Sequence, residues 1–217
     1  DTMYTFSKHA KLTADKAKSK VNLMKALAGS TWGQDQETLS MTYKAIGRSV
    51  LEYAAPIWSP IISKSNWSKL QTTQNQALRI ITGNVSMASE THLHRESKIL
   101  PLKDHCDMIS KQFLLTNHIQ DHPGFKHTHK PLPPRKLKPT IQNNRRDIQH
   151  LLPVTRDNLK AKLKIIHTRE VANTISKYPP NKVLQRNPPE VNKNVTSISR
   201  LPRSLLSQLR SGYQQKP

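Results

Sequence analysis

The chain of 217 residues has one cysteine, Cys106, and six glycines. A single thiol excludes an intramolecular disulfide and any zinc site built from clustered cysteines, and it fits a reducing compartment. So few glycines leave no Gly-rich loop of the kind that cradles phosphates on backbone N–H groups. Aromatic residues make up 5% of the chain and apolar residues 35%, which is thin for one compact core. No apolar run approaches a membrane span, and the first residues lack the apolar centre of a secretory signal. An intracellular protein, nuclear or cytoplasmic and without a transmembrane segment, is therefore expected. Acidic residues are scarce as well: 14 Asp and Glu stand against 35 Lys and Arg, a net charge of +21. Such an excess opposes compaction unless a polyanion neutralises it.

The charge is unevenly placed. Residues 1–100 carry 13 basic and 7 acidic side chains, whereas 101–217 carry 22 and 7. The first part is expected to fold and the second to be mostly a basic arm.

Periodicity in the first part is helical. Ala10, Ala14, Ala17, Val21, Met24 and Ala28 recur at alternating steps of four and three, so 7–29 reads as an amphipathic helix. Ser7 is its expected N-cap and Gly29 its stop. Lys11, Lys18 and Lys25 recur every seven residues as a separate basic stripe. A second helix starts at Asp35, whose carboxylate suits free N–H groups in the first turn. It buries Leu39, Tyr43, Ile46, Val50 and Tyr53/Ala54 and ends at Pro56. A third helix over 65–82 points Trp67, Leu70, Ala77, Leu78 and Ile81 inward, with Gly83 at its end. A short helix covers 89–98. Another follows Pro101, with Leu102, Cys106, Ile109 and Phe113 on one side and Met108, Leu115 and Ile119 broadening it. The fold class is thus mainly α, with a compact helical domain over 7–121.

Beyond it, prolines at 123, 131, 133, 134, 139 and 153 stand among Lys, Arg and His, so 122–155 reads as a Pro-rich, extended basic linker. Residues 156–178 form a basic helix on Leu159, Leu163, Ile166, Val171 and Ile175. The tail 179–217 is expected to be disordered except for a short helix over 201–212.

Several of these segments resemble one family. The residues are Tyr43-Lys44-Ala45, Arg48-Ser49-Val50-Leu51-Glu52-Tyr53, Ala55-Pro56-Ile57-Trp58, Gln74-Asn75-Gln76-Ala77-Leu78-Arg79-Ile80-Ile81-Thr82-Gly83, His92-Leu93-His94-Arg95-Glu96 and Leu100-Pro101-Leu102. The tail Leu201-Pro202-Arg203 and Leu209-Arg210-Ser211-Gly212-Tyr213 adds to them. In order and spacing they resemble the region just after the polymerase core of jockey-like non-LTR (LINE-type) retrotransposon reverse transcriptases. The resemblance implies a remnant of the palm over 1–6, a helical thumb over 7–121 that grips template and primer, and a basic region beyond. It also implies a fragment of an RNA-directed DNA polymerase, which a first residue of Asp1 rather than Met fits. The family's chemistry rests on an aromatic-Ala-Asp-Asp turn holding two metal ions, and no Asp-Asp pair occurs here. This chain is therefore expected to be inactive by itself. No catalytic residue, metal ligand or cofactor is assigned to it, a divalent metal such as Mg being expected only for the missing palm.

Among the other residues, Asp104 and Asp107 lie one helical turn apart without a third acidic partner, and His92, His94, His105 and Cys106 match no zinc spacing. The tryptophans read as packing residues rather than base-stacking platforms. The run Gln71-Thr72-Thr73-Gln74-Asn75-Gln76 reads as an exposed polar face. The residues expected to contact nucleic acid are Lys11, Lys18, Lys25, Lys44 and Arg48 in the helical domain, with Lys136, Lys138, Arg145, Arg146, Lys160 and Lys164 in the arm. The expected partners are RNA and RNA–DNA duplex, held by phosphate contacts that position without reading sequence. Two alternatives stand beside this: a self-standing basic nucleic-acid-binding protein, domesticated from such an element, and a product of a decayed element with no function.

Overall fold

The computed structural model describes residues 6–29, 33–128, 139–179 and 198–212, and every regular element among them is helical. Helix α1, Ser7–Ala28, follows Phe6, which takes a left-handed conformation and provides no side-chain cap. Ser7 is thus the first helical residue rather than the cap. The helix stops at Gly29, φ 56°, as expected. Its buried face is Ala10, Thr13, Ala17, Val21, Met24 and Ala28.

Helix α2, Gln36–Thr42, begins where Asp35 accepts from the backbone N–H groups of Glu37 and Thr38. Those bonds, with one from the Thr38 hydroxyl, hold the Asp35 carboxyl below its ordinary pKa. The chain then runs through a π-helical segment, Tyr43–Arg48, into α3, Ser49–Glu52. The wide turn lets the Tyr43 ring lie against Gly47, where an added Cβ would come within 2.8 Å of it. It also turns the buried face, so that Tyr43, Gly47, Arg48 and Leu51 are buried while Ile46 and Val50 are only half-buried. Pro56 does not end this helix. Tyr53 leaves it, Ala54 reverses at φ 53°, and Pro56 lies in the first turn of α4, Ala55–Trp58, where its missing N–H costs nothing.

Helix α5, Lys64–Thr82, is capped by the Ser63 side chain and ended by Gly83 at φ 71°. It packs along α1. Ala10 and Ala17 share a cluster with Leu70, and Met24 and Ala28 share another with Leu78 and Ile81, so the two helices run parallel. Helix α6, Glu90–Ser97, is capped by Ser89, and α7, Leu102–Thr116, follows Pro101.

Helix α7 has two buried sides. Leu102 and Cys106 join Leu51, Trp58 and Leu70, while Met108 and Leu115 join a third cluster with Ile148, Leu151, Val154 and Ile166. That second side corrects the expected domain boundary. After α8, Phe125–Thr128, the segment expected as extended linker contains α9, Pro139–Gln149, and leads to α10, Arg156–Ser176. Both pack on α7 instead of standing isolated. The reason is the apolar series Ile148, Leu151, Leu152, Val154, Leu159 and Leu163, which buries against Met108 and Leu115 of α7. The Lys111 ammonium adds a polar clamp, 2.7 Å from Asp147 and 2.9 Å from Glu170. The expected disorder over 180–197 and 213–217 lies outside the described residues, as does the palm remnant over 1–5.

Helix α11, Arg200–Arg210, sits where the tail helix was expected, but polar side inward. Arg200, Arg203 and Ser207 are buried, while Leu201, Leu205 and Leu209 are 52%, 46% and 54% exposed. Arg200 donates to the carbonyls of Gly29, 3.1 Å, and Ile80, 2.8 Å, at the ends of α1 and α5. Asn84 donates to the Ser207 hydroxyl at 2.8 Å, and Gln208 to the Gly83 carbonyl at 3.0 Å. Gly83 has no room for a side chain, since a Cβ there would meet the Ser204 hydroxyl at 2.0 Å.

Two substitutions check this arrangement. Leu115→Ala should cost about 2–5 kcal/mol in denaturant unfolding, the range for a fully buried leucine; a cost near zero would mean that α9 and α10 do not pack on α7. Arg200→Ala should cost about 1.5–3 kcal/mol and raise amide exchange over 200–210 selectively.

Candidate nucleic-acid interface

The six ion pairs found among the described residues draw on few carboxylates: Glu52, Glu96, Asp121, Asp147 and Glu170. Most of these sit between helices. Glu96, itself buried, takes Arg210 at 2.9 Å and joins α6 to α11. Glu52 takes Arg48 Nε at 2.5 Å and lies 2.7 Å from His105 Nδ1, joining the π-helical segment to α7. The surface lysines are left without a carboxylate within ion-pairing distance among the described residues, although the exposed Asp15 stands four residues after Lys11 and three before Lys18 on α1.

Lys11, Lys18 and Lys25 are all exposed, and none lies within ion-pairing distance of a carboxylate among the described residues. Seven residues of α-helix rise about 10.5 Å, so the row sets one ammonium every two turns along α1. Lys8, exposed and three residues before Lys11, extends the stripe by one turn. The sequence carried this signal at the same helical spacing.

Lys44 is exposed, but Arg48 is not beside it on the surface. Arg48 is 7% exposed, its Nε is bound to Glu52, and its Nη2 is buried without a hydrogen-bond partner. The expected pairing of Lys44 with Arg48 one turn apart assumed α-helical geometry, and the π-helical closure rotates Arg48 inward. Arg48 therefore acts as an internal clamp and has no open path to a phosphate.

In the arm, Arg146 on α9 and Lys160 and Lys164 on α10 are exposed, and Arg145 is half-buried. Lys160 and Lys164, four residues apart, form a short stripe continued by the exposed His167. Because α9 and α10 are held on α7, these charges belong to the folded body rather than to a loose tail. Lys136 and Lys138 lie outside the described residues.

The amide run is a structural junction. Thr73, Gln74 and Asn75 are buried rather than forming an exposed face. Gln74 donates to the Leu100 carbonyl at 3.0 Å and Asn75 to Glu90 at 2.7 Å. Gln71 Oε1 accepts from the Leu102 N–H at 3.0 Å, while its Nε2 faces His94 Nε2 at 3.0 Å. With Nδ1 2.8 Å from the Ile99 carbonyl, His94 is set as the neutral tautomer that donates from Nδ1 and accepts at Nε2. Burial lowers the pKa of both His92 and His94.

Among the described residues, no group of three or more His, Cys, Asp or Glu converges as metal ligands would. Asp107 is surrounded by Lys103, Asp104, Lys111 and Glu170, and burial pushes its carboxyl up to about 6. The third acidic group nearby, Glu170, is bound to Lys111 at 2.9 Å. Cys106 is fully buried, and burial raises its thiol pKa, so it packs as a small apolar side chain. Trp58 is buried and Trp67 half-buried, the two rings 5.5 Å apart. Trp32 lies outside the described residues.

A histidine whose folded pKa is lowered favours folding above its unfolded value of about 6.5, and that contribution fades as pH falls below it. Asp107, shifted upward, acts in the opposite sense between about pH 4 and 6. His94→Ala, which leaves Gln71 and the Ile99 carbonyl unpaired, should cost about 2–4 kcal/mol at pH 7.5 and less at pH 5. Urea unfolding of both proteins at the two pH values measures it. Searches against known protein families, characterised proteins and solved structures return no match for the chain.

Proposed function

We propose that this chain holds a nucleic-acid duplex by phosphate contacts, as the thumb and basic region of a non-LTR retrotransposon reverse transcriptase whose catalytic palm lies outside it. The observation that carries the reading is the row Lys11, Lys18 and Lys25, exposed along α1 without an ion pair among the described residues and with Asp15 as that helix's one acidic side chain, in a chain of net charge +21. Lys44 is exposed as well, and Lys160, Lys164 and Arg146 add further basic surface on α9 and α10. The order of segments resembling that family supplies the rest. RNA–DNA hybrid and RNA duplex are the partners, gripped through their backbones. DNA synthesis would require carboxylates that bind divalent metal, supplied by another part of the polymerase.

The alternative of a self-standing basic nucleic-acid-binding protein draws support from the packing of α9 and α10 on α7, which makes one body of the helical domain and much of the arm. Under this reading the same surfaces bind, with no palm to serve.

Each phosphate neutralised by a lysine releases counterions and steepens the salt dependence by about 0.9 log units per log unit of salt. Binding of an RNA–DNA hybrid should therefore weaken steeply with salt. Lys11/Lys18/Lys25→Ala should flatten the slope by about 2.7 while the helical circular dichroism stays unchanged. An unchanged slope would remove α1 from the interface, and a salt-independent affinity in the parent chain would sink phosphate-based binding altogether.

A further inference from the structure

We propose that the groove between α5 and the starts of α6 and α7 is a binding site for a single nucleotide unit, its ring on Trp67 and its phosphate between Lys64 and Lys103. This site is distinct from the duplex grip along α1 and does not depend on it. One wall is a single face of α5, with Lys64, Trp67, Ser68, Gln71 and Thr72 at helical spacing. The opposite wall is Glu90, the first residue of α6, and Lys103, in the first turn of α7. The groove is open to solvent and offers about 280 Å³, just below the range of small-ligand sites.

Its walls are fixed in advance. Gln71 bonds to Asn75 at 2.8 Å and receives the Leu102 N–H at 3.0 Å, and Asn75 holds Glu90 at 2.7 Å, so α5 is tied to both facing helices. Trp67 is braced by the buried Trp58, the ring centroids 5.5 Å apart at 44°, yet it still lines the groove. An aromatic side chain held in this way loses little freedom when a second ring stacks on it.

The charges select the ligand. Lys64 and Lys103 are exposed and have no carboxylate within ion-pairing distance among the described residues. They stand on the two walls, so both ammonium groups border the same groove and can reach a phosphate held in it. Glu90 disfavours a second phosphate and instead suits a donor, such as a sugar hydroxyl or a ring amino group. A nucleoside monophosphate or one residue of a single strand meets these demands, whereas a triphosphate brings too much negative charge. The two sources share the same chemistry, a ring and one phosphate.

Titration of the full chain with adenosine monophosphate and, separately, with a short single-stranded oligonucleotide, followed by tryptophan fluorescence, tests the proposal. Binding of either should be saturable and about tenfold weaker in Lys64→Ala/Lys103→Ala and in Trp67→Leu. The charge-matched control Lys16→Ala/Lys20→Ala, also exposed, should bind like the parent. Saturation by both ligands identifies a site for the free nucleotide, and saturation by the oligonucleotide alone identifies a strand site. Absence of saturation by either at millimolar concentration overturns the proposal. So does an equal loss in the control, which would mean diffuse charge attraction only. Lys11/Lys18/Lys25→Ala should leave mononucleotide binding intact, so failure of the groove and failure of the duplex grip give different patterns.

Discussion

The parallel packing of α1 on α5 is the contact on which the rest of the molecule depends. Both helices end at the same side, so their unsatisfied carbonyls and negative dipole ends lie together. Left alone, that arrangement is unfavourable. Arg200 resolves it by bonding the Gly29 and Ile80 carbonyls with one guanidinium, from a helix more than a hundred residues away in sequence. The bond explains why α11 docks with its arginines inward and its leucines outward, contrary to ordinary amphipathic helices. It also explains the glycine at 83, where the Ser204 side chain of α11 fills the space a Cβ would need.

With that end secured, several of the few carboxylates tie helices together. Glu52, Glu96, Asp147 and Glu170 each join helices that apolar packing alone holds with small clusters. Lys111 between Asp147 and Glu170 is the clearest case, because it sits beside the modest cluster that attaches α9 and α10. The consequence for function is a division of labour by sign. Several acidic groups serve as clamps between helices, and the lysines of α1 face solvent without an ion pair among the described residues. A chain that folds in this way retains a strong field for polyanions.

Much of the helical framework was legible in the sequence, since it rests on local signals. Asp35 as a cap, Gly29 and Gly83 as stops, and the small apolar face of α1 all follow from spacing and residue type. What escaped depends on distant partners or on a departure from α geometry. Nothing local marks the π-helical turn at Tyr43–Arg48, and that turn took Arg48 out of the candidate site. The amides of α5 looked exposed because their partners, the Glu90 side chain, the Leu100 carbonyl and the Leu102 N–H, lie 15 to 31 residues onward. The prolines between 122 and 155 masked the packing of α9, whose apolar residues acquire meaning only against the second face of α7. Inward orientation of Arg200 and Arg203 is likewise invisible until α1 and α5 are seen to end together. Of the candidate site, the α1 stripe was readable as a pattern; the groove was not, because Lys64 and Lys103 come from different helices.

Lysine footprinting on the full chain tests the central claim most directly. Acylation of the surface lysines, read by mass spectrometry with and without an RNA–DNA hybrid, reports each side chain separately. The account predicts that the hybrid protects Lys11, Lys18, Lys25 and Lys44 and leaves Lys16 and Lys20 of the same region reactive. Protection confined to lysines after residue 122, with the α1 row as reactive as in the free chain, would contradict it.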